Sequence, residues 1–165
     1  MLVFNSGWND YEVKSTFNLF YYASGQERHN IGELKMMTFE QDNIISRLGD
    51  NFTMLSSEFC SVGQNYQYYS NLRNAFGKDF ESILFALKDA AFFPQIYEKF
   101  ERKSDFINSL LRYDEVERNA RTVKYEMNGR YTSDLYKFNY DFKPNFADKP
   151  VTLNFDFDNN DEFPQ

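Results

Sequence analysis

The sequence is poor in the residues on which enzyme active sites most often depend. Its 165 residues include one histidine, His29, and one cysteine, Cys60. Hydrolytic zinc sites and Ser-His-Asp triads both need imidazole, so a single histidine gives little basis for either. A lone cysteine cannot form an internal disulfide, which agrees with a reducing compartment. We therefore expect no catalytic residues, no metal site and no internal disulfide.

Glycine is scarce too, and its arrangement argues against nucleotide chemistry in this chain. A P-loop needs closely spaced glycines followed by a lysine and a hydroxyl residue, because its backbone N–H groups must point at a phosphate. The glycines at Gly63, Gly77 and Gly129 are isolated and indicate turns. We predict no bound cofactor.

Long apolar runs and excess positive charge are also missing. No stretch approaches the roughly 18 apolar residues that cross a bilayer, and the opening Met1–Asn5 lacks the basic start of a secretion signal. With 18 basic against 25 acidic residues the net charge is -7, which opposes attraction to nucleic acid or anionic lipid. These features predict a cytoplasmic, acidic protein that contacts neither membrane nor nucleic acid directly.

Aromatic residues are abundant, at 19% of the chain, and they favour the pleated, half-buried surface of a sheet. The pattern is clearest near the C-terminus, where apolar and polar residues alternate along Tyr136–Phe142 and Val151–Phe157. A period of two places all apolar side chains of a strand on one face. Two half-buried strands are therefore predicted here.

The remaining patterns predict a single α+β domain over residues 1–165. Residues 1–40 are expected to form a β-hairpin from Thr16–Ala23 and Ile31–Thr38, and residues 122–158 the C-terminal strands, followed by a tail at 159–165. Between them, residues 50–121 are expected to contribute three to four helices. The helices are predicted to pack on an antiparallel or mixed sheet that combines the N-terminal hairpin with the C-terminal strands.

Within the helical part, one segment carries a regular apolar spacing of three and four from Phe80 to Ala91 and is predicted to be a helix ending before Pro94. Further helices are expected from Pro94 and from a Ser104 cap, and a short one from Asp50 or Asn51 to Phe59. The segment Asp114–Arg121 is expected either to prolong the helix that Ser104 caps or to form a charged fourth helix. An i,i+4 ion pair is predicted between Glu117 and Arg121. Residues Thr122–Met127, followed by the turn dipeptide Asn128-Gly129, are predicted to form a strand.

Several residues that could take part in catalysis, ligand stacking or metal binding have simpler interpretations. His29 is expected on the surface of the hairpin loop, Cys60 as a small buried hydrophobic residue, and Trp8 in a packing role. The acidic residues Asp156 to Glu162 alternate like calcium ligands, but the sixth position is Asp161 where a calcium loop needs glycine, and the twelfth-position glutamate is missing. A solvent-facing row of carboxylates that repels unwanted strand partners explains them without a metal.

The last strand is the candidate binding region. An edge strand offers unpaired backbone groups to a partner. We predict a partner-binding edge at Val151, Leu153, Phe155, Asp156 and Asp158.

The order of the segments resembles bacterial P-loop ATPases of the ABC and SMC-like type, many of which belong to phage-defence systems. The resemblance lies in four stretches besides the final aromatic strands: Gly7–Asp10, Ile31–Lys35, Leu55–Gln64 and Ala86–Phe92. It implies that this chain corresponds to the β-rich N-terminal region, which precedes the nucleotide loop in those proteins. It further implies that Tyr21 or Tyr22 could stack on adenine, although neither Walker sequence is present to carry over catalysis.

Two functions follow as hypotheses. The first is a non-catalytic N-terminal module or fragment of a larger P-loop ATPase, whose partner is the missing ATPase domain or another protein. The alternative is a free-standing acidic interaction protein, such as a phage-encoded inhibitor that occupies the basic site of a host defence nuclease.

Overall fold

The computed structural model describes residues 1–5, 14–24, 27–40, 44–129, 137–144 and 150–156. The chain divides into two compact units, Met1–Lys124 and Tyr125–Gln165, and each is described by itself below. The organisation as a single domain stays a prediction.

The first unit contains a four-stranded antiparallel sheet. Its strands are β1 (Leu2–Phe4), β2 (Thr16–Tyr22), β3 (Arg28–Thr38) and β4 (Phe59–Gly63), and their order in the sheet follows the order in the chain. The predicted N-terminal hairpin is confirmed as β2 and β3, with Thr16 opposite Lys35 and Tyr22 opposite Arg28. β3 begins three residues earlier than predicted, so His29 lies in a strand.

The sheet is accompanied by helices, the last of which begins in the first unit and ends in the second. They are α1 (Ile44–Arg47), α2 (Tyr66–Phe76), α3 (Phe80–Ala86), α4 (Pro94–Phe100) and α5 (Asp114–Met127), with a 3-10 turn at Gly77–Asp79 and a π-helical turn at Phe106–Leu110. α2 contacts β3 and β4, and the π-helical turn contacts β3. The α+β class predicted from the sequence is confirmed.

The core of the first unit lies between the sheet and these helices. Aromatic rings fill much of it, with Phe80 against Phe92 at 5.4 Å and Tyr97 against Phe106 at 5.2 Å between ring centroids. Edge-to-face pairs of this kind add to the stabilisation from burial. Fully buried members include Leu34, Met36, Val62, Tyr68, Tyr69, Leu72, Leu84, Phe92, Phe100, Phe106 and Leu110.

Two predicted helices differ in the structure. The helix expected up to Phe59 is wrong, because Leu55 donates its N–H to Ala86 and Phe59 begins β4. The helix over Phe80–Ala91 stops at Ala86, after which the chain docks against β4. The helical part of the first unit therefore starts at Tyr66, apart from the short α1.

The predictions farther along the chain had mixed outcomes. The helix from Pro94 is confirmed. Ser104 caps no helix in the structure, since its hydroxyl donates to Asp105 at 3.3 Å and a π-helical turn follows. Within that turn Phe106 and Leu110 are buried, whereas Ile107 is exposed.

The charged fourth helix is confirmed as α5 and is longer than predicted. Its predicted ion pair forms, with Arg121 Nη2 at 2.5 Å from Glu117 Oε1. The strand expected over Thr122–Met127 is wrong, because that segment continues the helix. Gly129, at φ 70°, follows the end of the helix in a left-handed conformation that glycine adopts without strain.

The second unit contains the predicted pair of aromatic strands. They are β5 (Lys137–Phe142) and β6 (Val151–Asp156), paired antiparallel with Phe142 opposite Val151. Tyr136 and Phe157, which the sequence assigned to the strands, lie outside the described residues. The expected combination of this pair with the N-terminal hairpin is wrong for the described strands, which form two separate sheets.

Candidate functional site

Two residues of the predicted partner-binding edge, Val151 and Leu153, lie on an exposed apolar face of the β5–β6 hairpin. The register places Tyr140 opposite Leu153 and Phe142 opposite Val151, so these four side chains share one face. Their exposed fractions are 58%, 41%, 38% and 41% in that order. The rings of Tyr140 and Phe142 are stacked with centroids 6.1 Å apart.

The opposite face of the hairpin is polar. Thr152 donates to Asp141 Oδ1 at 2.5 Å, and Asn154 lies opposite Asn139. Of the other predicted site residues, Phe155 pairs with Phe138 and Asp156 with Lys137 along the strand. Asp158 lies outside the described residues. The structure thus brings Val151 and Leu153 together with two aromatic residues of β5, which the sequence had not included in the site.

A groove lies between the tip of the N-terminal hairpin and α2. Its volume is about 330 Å³, and its lining includes Tyr21, His29 and Asn71. The ring of Tyr21 meets the edge of Phe76 at 4.7 Å and stacks on His29 at 6.0 Å. One face of the Tyr21 ring is therefore covered by the imidazole of His29. Tyr21 is one of the two residues for which the family resemblance implied adenine stacking.

The histidine is exposed, as predicted, and its Nε2 lies 3.8 Å from Glu27 Oε2. Tyr22, the other residue named from the resemblance, is exposed at the end of β2, where its hydroxyl donates to the sulfur of Met1 at 4.0 Å.

The sequence analysis missed a buried carboxylic acid, Asp89. It lies in the segment after α3, has no exposed surface, and accepts hydrogen bonds from the Tyr69 hydroxyl at 3.1 Å and the Phe92 N–H at 2.9 Å. Burial raises the pKa of Asp89 from 3.8 to about 7, and the hydrogen bonds from Phe92, Tyr69, Gly63 and Ala91 oppose that rise.

The Asp89 segment is fixed to the sheet by backbone and side-chain bonds around Ser61. The Ser61 N–H donates to Lys88 O at 2.9 Å, and the Ala90 N–H donates to Ser61 O at 2.8 Å. The Ser61 hydroxyl donates to Leu87 O at 2.8 Å. Together these bonds attach a short parallel segment to β4.

Tyr69 connects this segment to α2. Its hydroxyl donates to Asp89 and accepts the N–H of Gly63 at 2.9 Å, so one side chain joins α2, β4 and the segment after α3. Asn65 begins α2 by accepting the N–H of Tyr68 at 2.9 Å. That cap and the apolar spacing of Tyr68, Tyr69 and Leu72 were readable signals for α2 in the sequence.

A buried lysine also escaped the sequence analysis. Lys35 Nζ on β3 donates to Ser109 O at 3.1 Å and lies 5.6 Å from the centroid of the Tyr113 ring. The hydroxyls of Ser15 and Ser109 are 3.0 Å apart nearby. A buried ammonium needs hydrogen-bond partners, and this arrangement supplies a carbonyl and an aromatic face that hold β3 to the π-helical turn.

Cys60 is buried on β4, as predicted. Burial is the main cause that raises the pKa of its thiol well above the ordinary value, and the nearby Asp89 adds to the rise. The thiol form is therefore favoured, and thiolate chemistry is suppressed.

Within the described ranges, no group of three or more His, Cys, Asp or Glu side chains is placed to hold a metal ion. In the same part of the chain, no helix has the length and apolar character needed to span a bilayer.

Comparison with known families and with solved structures gives no match. A curated protein is similar: protein ea59 of Escherichia phage lambda, with 29% identity over 109 residues. The match covers 64% of this chain and 21% of ea59. This chain is thus similar to a segment of a phage protein and spans about a fifth of that protein's length.

Proposed function

We propose that this chain is a non-catalytic interaction module of a larger P-loop ATPase associated with bacterial anti-phage defence. In this proposal it forms the β-rich region before the nucleotide loop, and the β5–β6 hairpin joins it to the ATPase part. The exposed apolar face of that hairpin is the observation that carries the proposal.

The hairpin face has the character of a contact surface. Tyr140, Phe142, Val151 and Leu153 are all exposed on one side of a two-stranded sheet. A two-stranded hairpin alone is only marginally stable in water, and contiguous exposed apolar residues favour association with another surface. A further strand or sheet from the ATPase part would cover these side chains.

Two further observations support a module within a larger protein. The segment order resembles the N-terminal region of ABC and SMC-like ATPases. The similar phage protein extends far beyond the matched segment, which is 21% of its length. In that arrangement nucleotide binding and hydrolysis belong to the part that carries the Walker sequences.

Calorimetric titration with ATP and Mg²⁺ tests the non-catalytic role. We expect no heat of binding and no phosphate release from the chain alone, because phosphate binding requires a P-loop or an equivalent anion site. Tight ATP binding would overturn the proposal. Sequencing of the gene region should also reveal, downstream of the Gln165 codon, a Gly-x-x-x-x-Gly-Lys sequence followed by Ser or Thr.

The hairpin's role is tested by adding the downstream polypeptide as a separate chain and measuring association. Leu153→Asp places a charge on the apolar face and should weaken binding at least tenfold. Asn154→Asp adds the same charge on the polar face and is the matched control. Equal effects of the two substitutions would contradict a contact through the apolar face.

The second candidate function is a free-standing acidic interaction protein, such as a phage-encoded inhibitor of a host defence nuclease. It is supported by the net charge of -7 and by the similarity to a phage protein. An inhibitor of this kind would bind a basic site through its carboxylates, and its affinity would fall steeply as salt rises. Nuclease inhibition that is unchanged between 50 mM and 500 mM salt would contradict it.

A further inference from the structure

A surface of the first unit combines exposed aromatic rings with lysine side chains. It includes Phe85 on α3, Lys88 and Phe93 in the segment between α3 and α4, and Lys124 on α5. We name it the lysine–aromatic patch. We propose that this patch binds an acidic peptide segment of a protein partner, in which carboxylates flank an aromatic or aliphatic side chain. The patch uses no residue of the β5–β6 hairpin and is independent of the function proposed for that hairpin.

The apolar part of the patch is open to solvent. Phe85 is 43% exposed, and its ring meets the half-buried Phe93 edge to face, with centroids 5.2 Å apart. Met54, which is 52% exposed, lies beside the end of α3, because the N–H of the following Leu55 donates to Ala86 O at 2.8 Å. Aromatic and methionine side chains are enriched at protein contacts. Together they offer a place for one apolar side chain of a partner.

Two ammonium groups lie over these rings. Lys88 Nζ is 4.4 Å from the centroid of Phe85, and Lys124 Nζ is 5.8 Å from that of Phe93. Among the described residues, no carboxylate forms an ion pair with either lysine. Both cations are therefore available to carboxylates of a partner, with which an ammonium group forms strong, charge-assisted hydrogen bonds.

The backbone at Lys88 supports a role for its side chain. Its φ of 56° lies in the left-handed region, where a side chain with a Cβ is disfavoured and glycine is the usual residue. A lysine costs stability at this position, yet it places an ammonium group over Phe85. Residues held in disfavoured backbone conformations cluster at binding and active sites. The strain therefore points to the lysine as a functional group of the patch.

The charge balance favours a short acidic peptide over a polyanion. The net charge of -7 repels DNA and RNA, whose binding draws its affinity from many phosphate contacts. The patch instead provides two cations beside exposed apolar side chains, which matches a few carboxylates around one apolar residue. Such a segment would place its apolar side chain against Phe85 and Met54 and its carboxylates at Lys88 and Lys124.

Fluorescence polarisation with a labelled peptide tests this binding on the full chain. The probe has the sequence Asp-Asp-Phe-Asp-Glu-Phe, and two control peptides replace its phenylalanines by alanine or its acidic residues by Asn and Gln. We expect saturable binding of the probe and at least about tenfold weaker binding of both controls. Absence of binding, or equal binding of the three peptides, would overturn the proposal. Displacement of the probe by oligothymidylate at lower concentration than by unlabelled probe would assign the patch to nucleic acid and overturn it as well.

Substitutions on the protein locate the contact. Lys88→Gln combined with Lys124→Gln removes both charges and should weaken binding of the probe about tenfold, and Phe85→Ala should have a similar effect. The matched controls Lys78→Gln and Ile107→Ala change an exposed lysine and an exposed apolar residue outside the patch, and they should bind the probe normally. Unchanged binding by the patch variants, or an equal loss in the controls, would contradict a contact at the patch.

Lys88→Gly separates binding from folding. Glycine removes both the ammonium group and the backbone strain, so this variant should melt at a higher temperature and yet bind the probe more weakly. A residue with a purely structural role would change stability and binding in the same direction. Unchanged binding by Lys88→Gly would overturn the proposal, since the charge over Phe85 would then be dispensable.

Discussion

The Tyr69 hydroxyl donates to Asp89 Oδ2 across 3.1 Å, joining residues that lie twenty positions apart in the sequence. The same oxygen accepts the N–H of Gly63 at 2.9 Å. One phenol therefore supports a buried acid and satisfies a backbone donor of β4. This double role makes the junction of α2, β4 and the segment after α3 sensitive to small changes in charge and volume.

Asp89→Asn should flatten the dependence of global stability on pH. The folded pKa of about 7 exceeds the unfolded value of 3.8, so this group's contribution is fully present below the unfolded pKa. The free energy of unfolding should therefore fall by about 4 kcal/mol as pH rises from 3.8 to about 7, because of this shift in pKa. Urea unfolding from pH 4.5 to 8 measures the difference, and parallel curves for the two proteins would contradict it.

Gly63→Ala should be strongly destabilising. A Cβ at this position would lie 2.3 Å from Cδ1 of Tyr68 and 2.8 Å from Cζ of Tyr69, closer than real contacts allow. The core would have to shift, at a cost of about 3 kcal/mol. Gly49→Ala is the control, because its Cβ would meet nothing nearer than 3.6 Å. Thermal unfolding should show a large loss of stability for Gly63→Ala and a change within about 1 kcal/mol for Gly49→Ala.

Lys88→Gly should stabilise the protein. Glycine adopts the left-handed conformation at this position without the penalty that a Cβ causes, and the gain is expected to be about 1 kcal/mol. Lys78→Gly, in the exposed turn after α2, should instead lower the stability, because it only adds conformational freedom to the unfolded chain. A loss of stability in Lys88→Gly, measured by urea unfolding, would show that the lysine side chain matters more than the strain.

Leu87→Asp and Leu153→Asp should separate a buried apolar position from an exposed one. Leu87 is buried in the segment that follows α3, so an unpaired charge there should cost about 4 kcal/mol or more and abolish cooperative unfolding. Leu153 is exposed on the hairpin, and the same charge should change stability by less than about 1 kcal/mol. Similar melting curves for the two variants would contradict the observed burial.

Local sequence patterns predicted much of the fold, because residues close together in the sequence determine where several of its strands and helices form. Alternation located β5 and β6, and Pro94 located the start of α4. The errors arose where tertiary contacts override local preference. Along Thr122–Met127 the β-forming residues fit a strand, yet Val123 and Met127 continue the buried spacing that begins at Val116 and Ala120 and hold the segment in α5.

The candidate sites divide in the same way. Alternation alone assigns Val151 and Leu153 to one side of a strand, but it predicted a half-buried face packed against helices, whereas both side chains are exposed in the structure. The contacts around Asp89 could not be predicted, because Gly63, Tyr69 and Asp89 come from β4, α2 and the segment after α3 and meet only after folding. Leu87, Ala90 and Ala91 fit a helical stripe in the sequence, and their burial is confirmed although they lie beyond the end of α3.

The burial of Cys60 has a practical consequence for spectroscopy. The chain contains one cysteine, Cys60 on β4. Its thiol is buried, and burial raises its pKa so that the unreactive protonated form is favoured. A second cysteine introduced at an exposed position, for example Asn154→Cys on the hairpin, should react with maleimide dyes while the native one stays unmodified. The natural sequence therefore suits site-specific fluorescent labelling without prior removal of its own thiol.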